Sequence, residues 1–307
     1  MIRNRKLYAL LLCTTLVASC VPDASPRDRL AEAYLRLVDL EDMRPTDGPA
    51  LDLLIDATDS EEPLLRATAV RALGRLESPA LAGHITESFE DPLPSVRVEA
   101  AYALAQAHFT TGGDGAFEAL ADLMADDPDV SVRGEAARSL GRLQLSDERR
   151  VEAEHLLLDA VRAEEETALP LLTGALLGLE ALLRNHDGAM DPDRIADRMM
   201  PLAAYLGASY RSPESVRIRT LALTIIGHTG WMRATIVQRA LRDDAPEVAA
   251  AALRFFDQIE ELAKPETMRR AVASESLYGV IQAFQILGRT PRNMPTCGYL
   301  LAGARVT

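Results

Sequence analysis

Little in this chain can form covalent staples: of 307 residues only Cys13, Cys20 and Cys297 are cysteine, and no Cys-X-X-Cys pair occurs. Thiol redox chemistry and cysteine-built zinc sites are therefore excluded, and stability must come from a buried core. Aromatic residues make up only 5% of the chain, and no stretch alternates apolar and polar residues with period two, which argues against sheets. Lysine is almost missing, at Lys6 and Lys264 alone, so the basic residues are arginines. No apolar run is long enough to cross a bilayer, since the apolar run near the N-terminus, Leu7 to Val17, falls well short of the roughly 20 residues required. Cations are outnumbered as well, 33 against 46 acids, for a net charge of -13. A phosphate backbone or anionic lipid surface selects clustered cations, so nucleic acid is not an expected partner.

Catalytic constellations are equally sparse. His84, His108, His155, His186 and His228 lack the i, i+4 spacing of helical metal ligands. No phosphate-cradling glycine loop or nucleophile elbow is present, and Gly112-Gly113-Asp114-Gly115 reads as a connection between helices. The expectation is a protein without catalytic residues, metal or cofactor.

What is there begins at the N-terminus. Arg3, Arg5 and Lys6 precede the apolar run Leu7 to Val17, and small Ala18 and Ser19 precede Cys20. Val17-Ala18-Ser19-Cys20 resembles the lipobox of bacterial lipoproteins. The resemblance implies a signal peptide over 1–19, lipid attachment with palmitate at Cys20, and a tether over 20–27. Loss of Arg3, Arg5 and Lys6 would move the charge from -13 to -16. Val21 rather than an aspartate after the cysteine implies the periplasmic face of the outer membrane. Cys297 would then have no intrachain disulfide partner.

The rest of the chain repeats. Leu65-Arg66 to Leu73-Gly74, Val96-Arg97 to Leu104-Ala105 and Val132-Arg133 to Leu140-Gly141 share an apolar residue before Arg, alanine three residues after the Arg, and Leu followed by a small residue at seven and eight. Each follows an acidic, proline-bearing turn: Asp59 to Pro63, Asp91 to Pro94 and Asp126 to Pro128. Weaker copies start at Pro170, Arg219, Ala249 and Val280. Offsets +3, +7 and +8 share one helical face, and the small residues there admit a close neighbour. Further amphipathic helices lie between, at Ala50 to Ala57, Ala116 to Met124, Val151 to Ala163 and Ile195 to Leu206. Helix pairs recurring every 30 to 50 residues predict an all-α solenoid of about seven helix-turn-helix units over 28–289, with a capping helix from Ser25 and a non-repeating tail over 290–307.

These residues resemble HEAT repeats, particularly the short HEAT-like repeats of the phycobilisome-lyase type. The resemblance implies a right-handed stack whose anchor arginines pair with aspartates of adjacent units. Here that ladder would use Arg66, Arg97 and Arg133 with Asp59, Asp91 and Asp127. It also implies that the second helices line the concave surface. Offsets +5 and +9 then place Arg71, Arg75, Tyr102, Arg138 and Arg142 on one stripe, with Gln106 beside Tyr102. Arginine and tyrosine are common recognition anchors. The expected function is a membrane-anchored scaffold that binds a protein or peptide of acidic character. A HEAT-like lyase or other enzyme accessory protein is the alternative.

Overall fold

The computed structural model describes residues 25–255 except 111, 162–168, 187–190, 205–211 and 241. The signal peptide, Cys20, the copy at Val280 and the tail over 290–307 lie outside the described residues. Every regular element described is helical: α1 (Pro26–Met43), α2 (Gly48–Asp56), α3 (Pro63–Arg75), α4 (Ala82–Glu87), α5 (Pro94–Ala107), α6 (Asp114–Asp126), α7 (Val130–Leu140), α8 (Asp147–Ala160), α9 (Leu169–Asn185), α10 (Pro192–Ala204), α11 (Pro213–His228), α12 (Ala234–Ala240) and α13 (Pro246–Leu253). None of these helices is long and apolar enough to cross a membrane.

Helix starts are written locally. Ser25 and Asp28 form a reciprocal capping box, each side chain accepting the other's backbone N–H at 3.2 Å, with Pro26 at the first turn. Proline likewise opens α3, α5, α11 and α13, where its missing N–H is not needed. Before α5, α7 and α13, the Asp91, Asp127 and Asp243 carboxylates accept the backbone N–H two residues on, at 2.8–2.9 Å, and so fix the turn.

Two layers result. The second helices α3, α5, α7, α9, α11 and α13 pack one on the next in an unbroken row, with α1 against α3 as a cap. The first helices α2, α4, α6, α8, α10 and α12 cover one side of that row. Ala69, Ala100, Ala136, Ala222 and Ala252, at offset +3, are buried, as are Leu73, Leu104, Leu140 and Ile226 at offset +7. Each such leucine removed from water contributes about 1.5–3 kcal/mol.

The copy at Pro170 departs from this register. Its Leu177 at +7 is only half-buried, while Ala175 and Leu179 at +5 and +9 are fully buried. Without an anchor arginine, α9 is turned so that another face meets α7. The meeting is backbone to backbone. A Cβ on Gly174 would collide with the Gly134 carbonyl, and one on Gly141 with the backbone of Gly178. The glycine-rich loop is structural too: Gly112 has φ +93°, Gly113 N–H donates to the Gln144 carbonyl at 2.7 Å, and Asp114 accepts from Ser146 N–H at 3.0 Å.

Candidate interaction face and the arginine ladder

The anchor arginines form a ladder along the turns. Arg66 Nε and Nη2 donate to the two Asp91 oxygens at 2.5 and 3.1 Å, and Arg97 does the same to Asp127 at 2.7 and 2.9 Å. The third nitrogen of each turns back on its own repeat. Arg66 Nη1 donates to the Ser60 carbonyl, Arg97 Nη1 to that of Asp91, and Arg133 Nη1 to that of Asp127. One planar guanidinium therefore holds its own turn and the next, which an ammonium could not do. Burial pushes the Asp91 and Asp127 carboxyls up, but the arginine hydrogen bonds and the turn N–H outweigh it and hold both below the usual carboxylate range.

The ladder extends beyond what the residue pattern predicted. Arg219 forms a further forked pair with Asp243, both bonds at 2.9 Å, and both side chains are almost fully buried. Its signal was available, because Asp243 follows Arg219 at nearly the spacing that separates Asp91 from Arg66. Asp59, in contrast, is exposed and makes no ion pair among the described residues. No anchor arginine precedes it, because the unit before it is the capping helix α1. The residues before α9, where an acceptor for Arg133 is expected, include 162–168, which lie outside the described residues.

On the row of second helices, the structure gathers the +5 and +9 residues into three half-exposed groups. Arg71 Nη2 and Arg75 Nη1 converge on Glu41 of α1, at 3.2 and 2.8 Å. Burial raises the Glu41 carboxyl, but the two guanidinium groups outweigh it and leave it below its ordinary range. Arg142 lies over the Tyr102 ring, 4.8 Å from its centroid, and Nη2 reaches Gln106 at 3.4 Å. Arg138 pairs with Glu135 one turn back at 3.3 Å. Gln106 also donates to Glu77 at 3.2 Å.

Sequence reasoning missed the acids interleaved with this stripe. Glu41, Glu99 and Glu135 sit among the arginines, so the face is mixed in charge rather than basic. Burial pushes the Glu99 and Glu135 carboxyls up, against the pull of nearby Arg71 and Arg138. The signal was present at offset +2, where Glu99 and Glu135 recur in successive copies. Past α7 the arginine–tyrosine stripe gives way: α9 carries half-buried Thr173 and Leu177, then Glu180, which pairs with Arg184 at 3.3 Å. Trp231 ties two repeats together, its indole N–H donating to Asp193 at 2.7 Å.

Comparison with known proteins agrees with the fold. The sequence matches HEAT repeats over residues 51–141 and 84–177. No curated protein matches it. Among solved structures, an engineered protein is similar with 17% identity and a TM-score of 0.42, over 68% of this chain and 97% of that one. The complex of CpcE and CpcF of phycocyanin lyase from Nostoc sp. PCC7120 is similar with 18% identity and a TM-score of 0.42, over 81% and 89%. The helix pairs, the forked arginine ladder and the repeat match over 51–177 together show an all-α solenoid of HEAT-like helix pairs.

Proposed function

We propose that this chain is a lipid-anchored, extracytoplasmic scaffold that docks a protein or peptide segment along the row of second helices from α3 to α7. One observation carries the reading. Across three consecutive repeats, Arg71, Arg75, Tyr102, Arg138 and Arg142 are half-exposed yet already held by Glu41, Glu135 and one another. Side chains ordered before binding lose less rotamer entropy when a partner arrives. An acidic or carbonyl-rich partner segment supplies further acceptors to the half-exposed guanidinium groups of Arg75 and Arg138. Glu99 and Glu135 set the register by excluding acids from the positions between the arginines.

The anchor rests on the lipobox-like Val17-Ala18-Ser19-Cys20 and on the short connection that follows. From Cys20 to the capped start of α1 at Pro26 the chain spans at most about 20 Å, which keeps α1 near the membrane surface. Two or three acyl chains give stable anchoring where a single chain does not.

Crosslinking from a photoreactive residue at Tyr102 in native membranes, with mass spectrometry, tests both parts. Partners captured by the unaltered chain should be lost in Arg138→Glu/Arg142→Glu, with the thermal midpoint unchanged within a few degrees. An unchanged partner set rejects the docking face. A Cys20→Ala variant that still partitions with membranes rejects the anchor.

A further inference from the structure

A second surface lies on the opposite edge, at the turns. Between the turn that joins α4 to α5 and helix α6 runs a groove of about 500 Å³. Half-buried Phe89 and Ala119, with buried Leu123, give it an apolar floor, while exposed Glu90, Asp122 and Asp126 stand at its rim. The ladder pair Arg97–Asp127 closes one end. The ladder arginines are spent on Asp91 and Asp127, and the three rim carboxylates make no ion pair among the described residues.

The placement of those acids is unfavourable for α6 itself. Asp122 and Asp126 are one helical turn apart, where like charges repel. Both lie in the last two turns, whose free carbonyls make that end of the helix negative, and no basic residue stands in the last turn. Folding alone gives no reason for this arrangement. A cation between them would relieve both conflicts.

We propose that this groove is a docking site for an arginine- or lysine-bearing segment of a partner protein, with the side-chain stem on Phe89 and Leu123 and its charged head between Glu90, Asp122 and Asp126. Charge complementarity selects the head, and the apolar floor selects a long stem, because such side chains bury their methylenes while keeping the charge at the rim. The site is separate from the second-helix face, so a partner could occupy both.

The test uses the full chain and a fluorescein-labelled peptide of alternating Arg and Gly, read by fluorescence anisotropy. The unaltered chain should bind saturably. Glu90→Gln/Asp122→Asn/Asp126→Asn should weaken binding by about tenfold or more while its Tm stays level or rises, since the repulsion is removed. The charge-matched control Asp39→Asn/Asp52→Asn/Glu148→Gln should bind nearly as the unaltered chain does, as should Arg138→Glu. A peptide with 2-amino-3-guanidinopropionate in place of Arg, which keeps the guanidinium and shortens the stem by two methylenes, should bind more weakly, by about fourfold for each methylene withdrawn from the floor. The proposal is overturned by absent binding, by equal losses in the two triple variants, by equal affinity for the two peptides, or by a rim variant whose Tm falls.

Discussion

The junction between α5 and α7 and the one between α7 and α9 join neighbouring repeats in opposite ways. At the first, Arg97 grips Asp127 across the gap with a two-pronged, charge-assisted pair, both side chains under a tenth exposed. At the second, no such pair is described, and Gly134, Gly141, Gly174 and Gly178 let the backbones touch. A ladder rung is directional and holds the turns, so it leaves the helix faces free to carry Tyr102 and Arg142. A glycine seam needs the helix face itself. Beyond the seam, α9 carries the Glu180–Arg184 pair in place of the arginine–tyrosine stripe.

Breaking a rung is the largest expected effect. Asp127→Ala leaves Arg97 charged and buried, at a cost of about 3–5 kcal/mol in urea unfolding. Arg97→Met with Asp127→Leu should return most of that loss, because both charges then leave together. A double variant no more stable than the single one would show that the rung does more than neutralise its own members.

The seam comes next. Gly174→Ala puts a methyl against the Gly134 carbonyl, and about 1–3 kcal/mol is expected from overpacking even after the better helix propensity of alanine. Exposed Gly83, with nothing near its would-be Cβ, is the matched control, and Gly83→Ala should gain about 0.5 kcal/mol. If both substitutions stabilise the protein, the seam is not close-packed.

Acid titration separates ladder from stripe. Asp91 and Asp127 have lowered pKa values, so their stabilisation is full above the ordinary aspartate range and is lost as pH falls through the folded value, below about 4. Glu99 and Glu135 are raised, so each costs stability at neutral pH and that cost is relieved as they protonate above the ordinary glutamate range. Thermal midpoints should hold or rise as pH falls from 7 toward the ordinary glutamate range, then drop steeply below the ordinary aspartate range. Glu135→Gln should remove part of the rise and leave the drop. Its effect is the smallest, since the pair with Arg138 already offsets part of the cost of burying Glu135.

Much of this was legible in the residues. Arg66, Arg97 and Arg133 recur with alanine three positions on and leucine seven on, because one helical face must pack the same way in every repeat. Pro26, Pro63 and Pro94 mark helix starts, because proline loses nothing at a first turn. The rung partners were partly legible. Asp91 and Asp127 were in the expected set, whereas Asp59 was included without a preceding anchor and Asp243 was passed over despite having one. The interleaved Glu99 and Glu135 stand at offset +2, and only the packing of one repeat on the next brings them beside the arginines at +5.

The sequence by itself determined the helices, their pairing and the buried face, since these follow from local propensity and a period that each segment carries internally. Tertiary structure alone decided which charges meet. Whether Arg71 is free or clasped by Glu41, thirty residues away, depends on how one repeat is set against the next. That setting also decided that α9 turns its glycines to α7 and that Asp122 and Asp126 rim a groove with Glu90. Such contacts depend on the spacing between helices, which no single repeat contains.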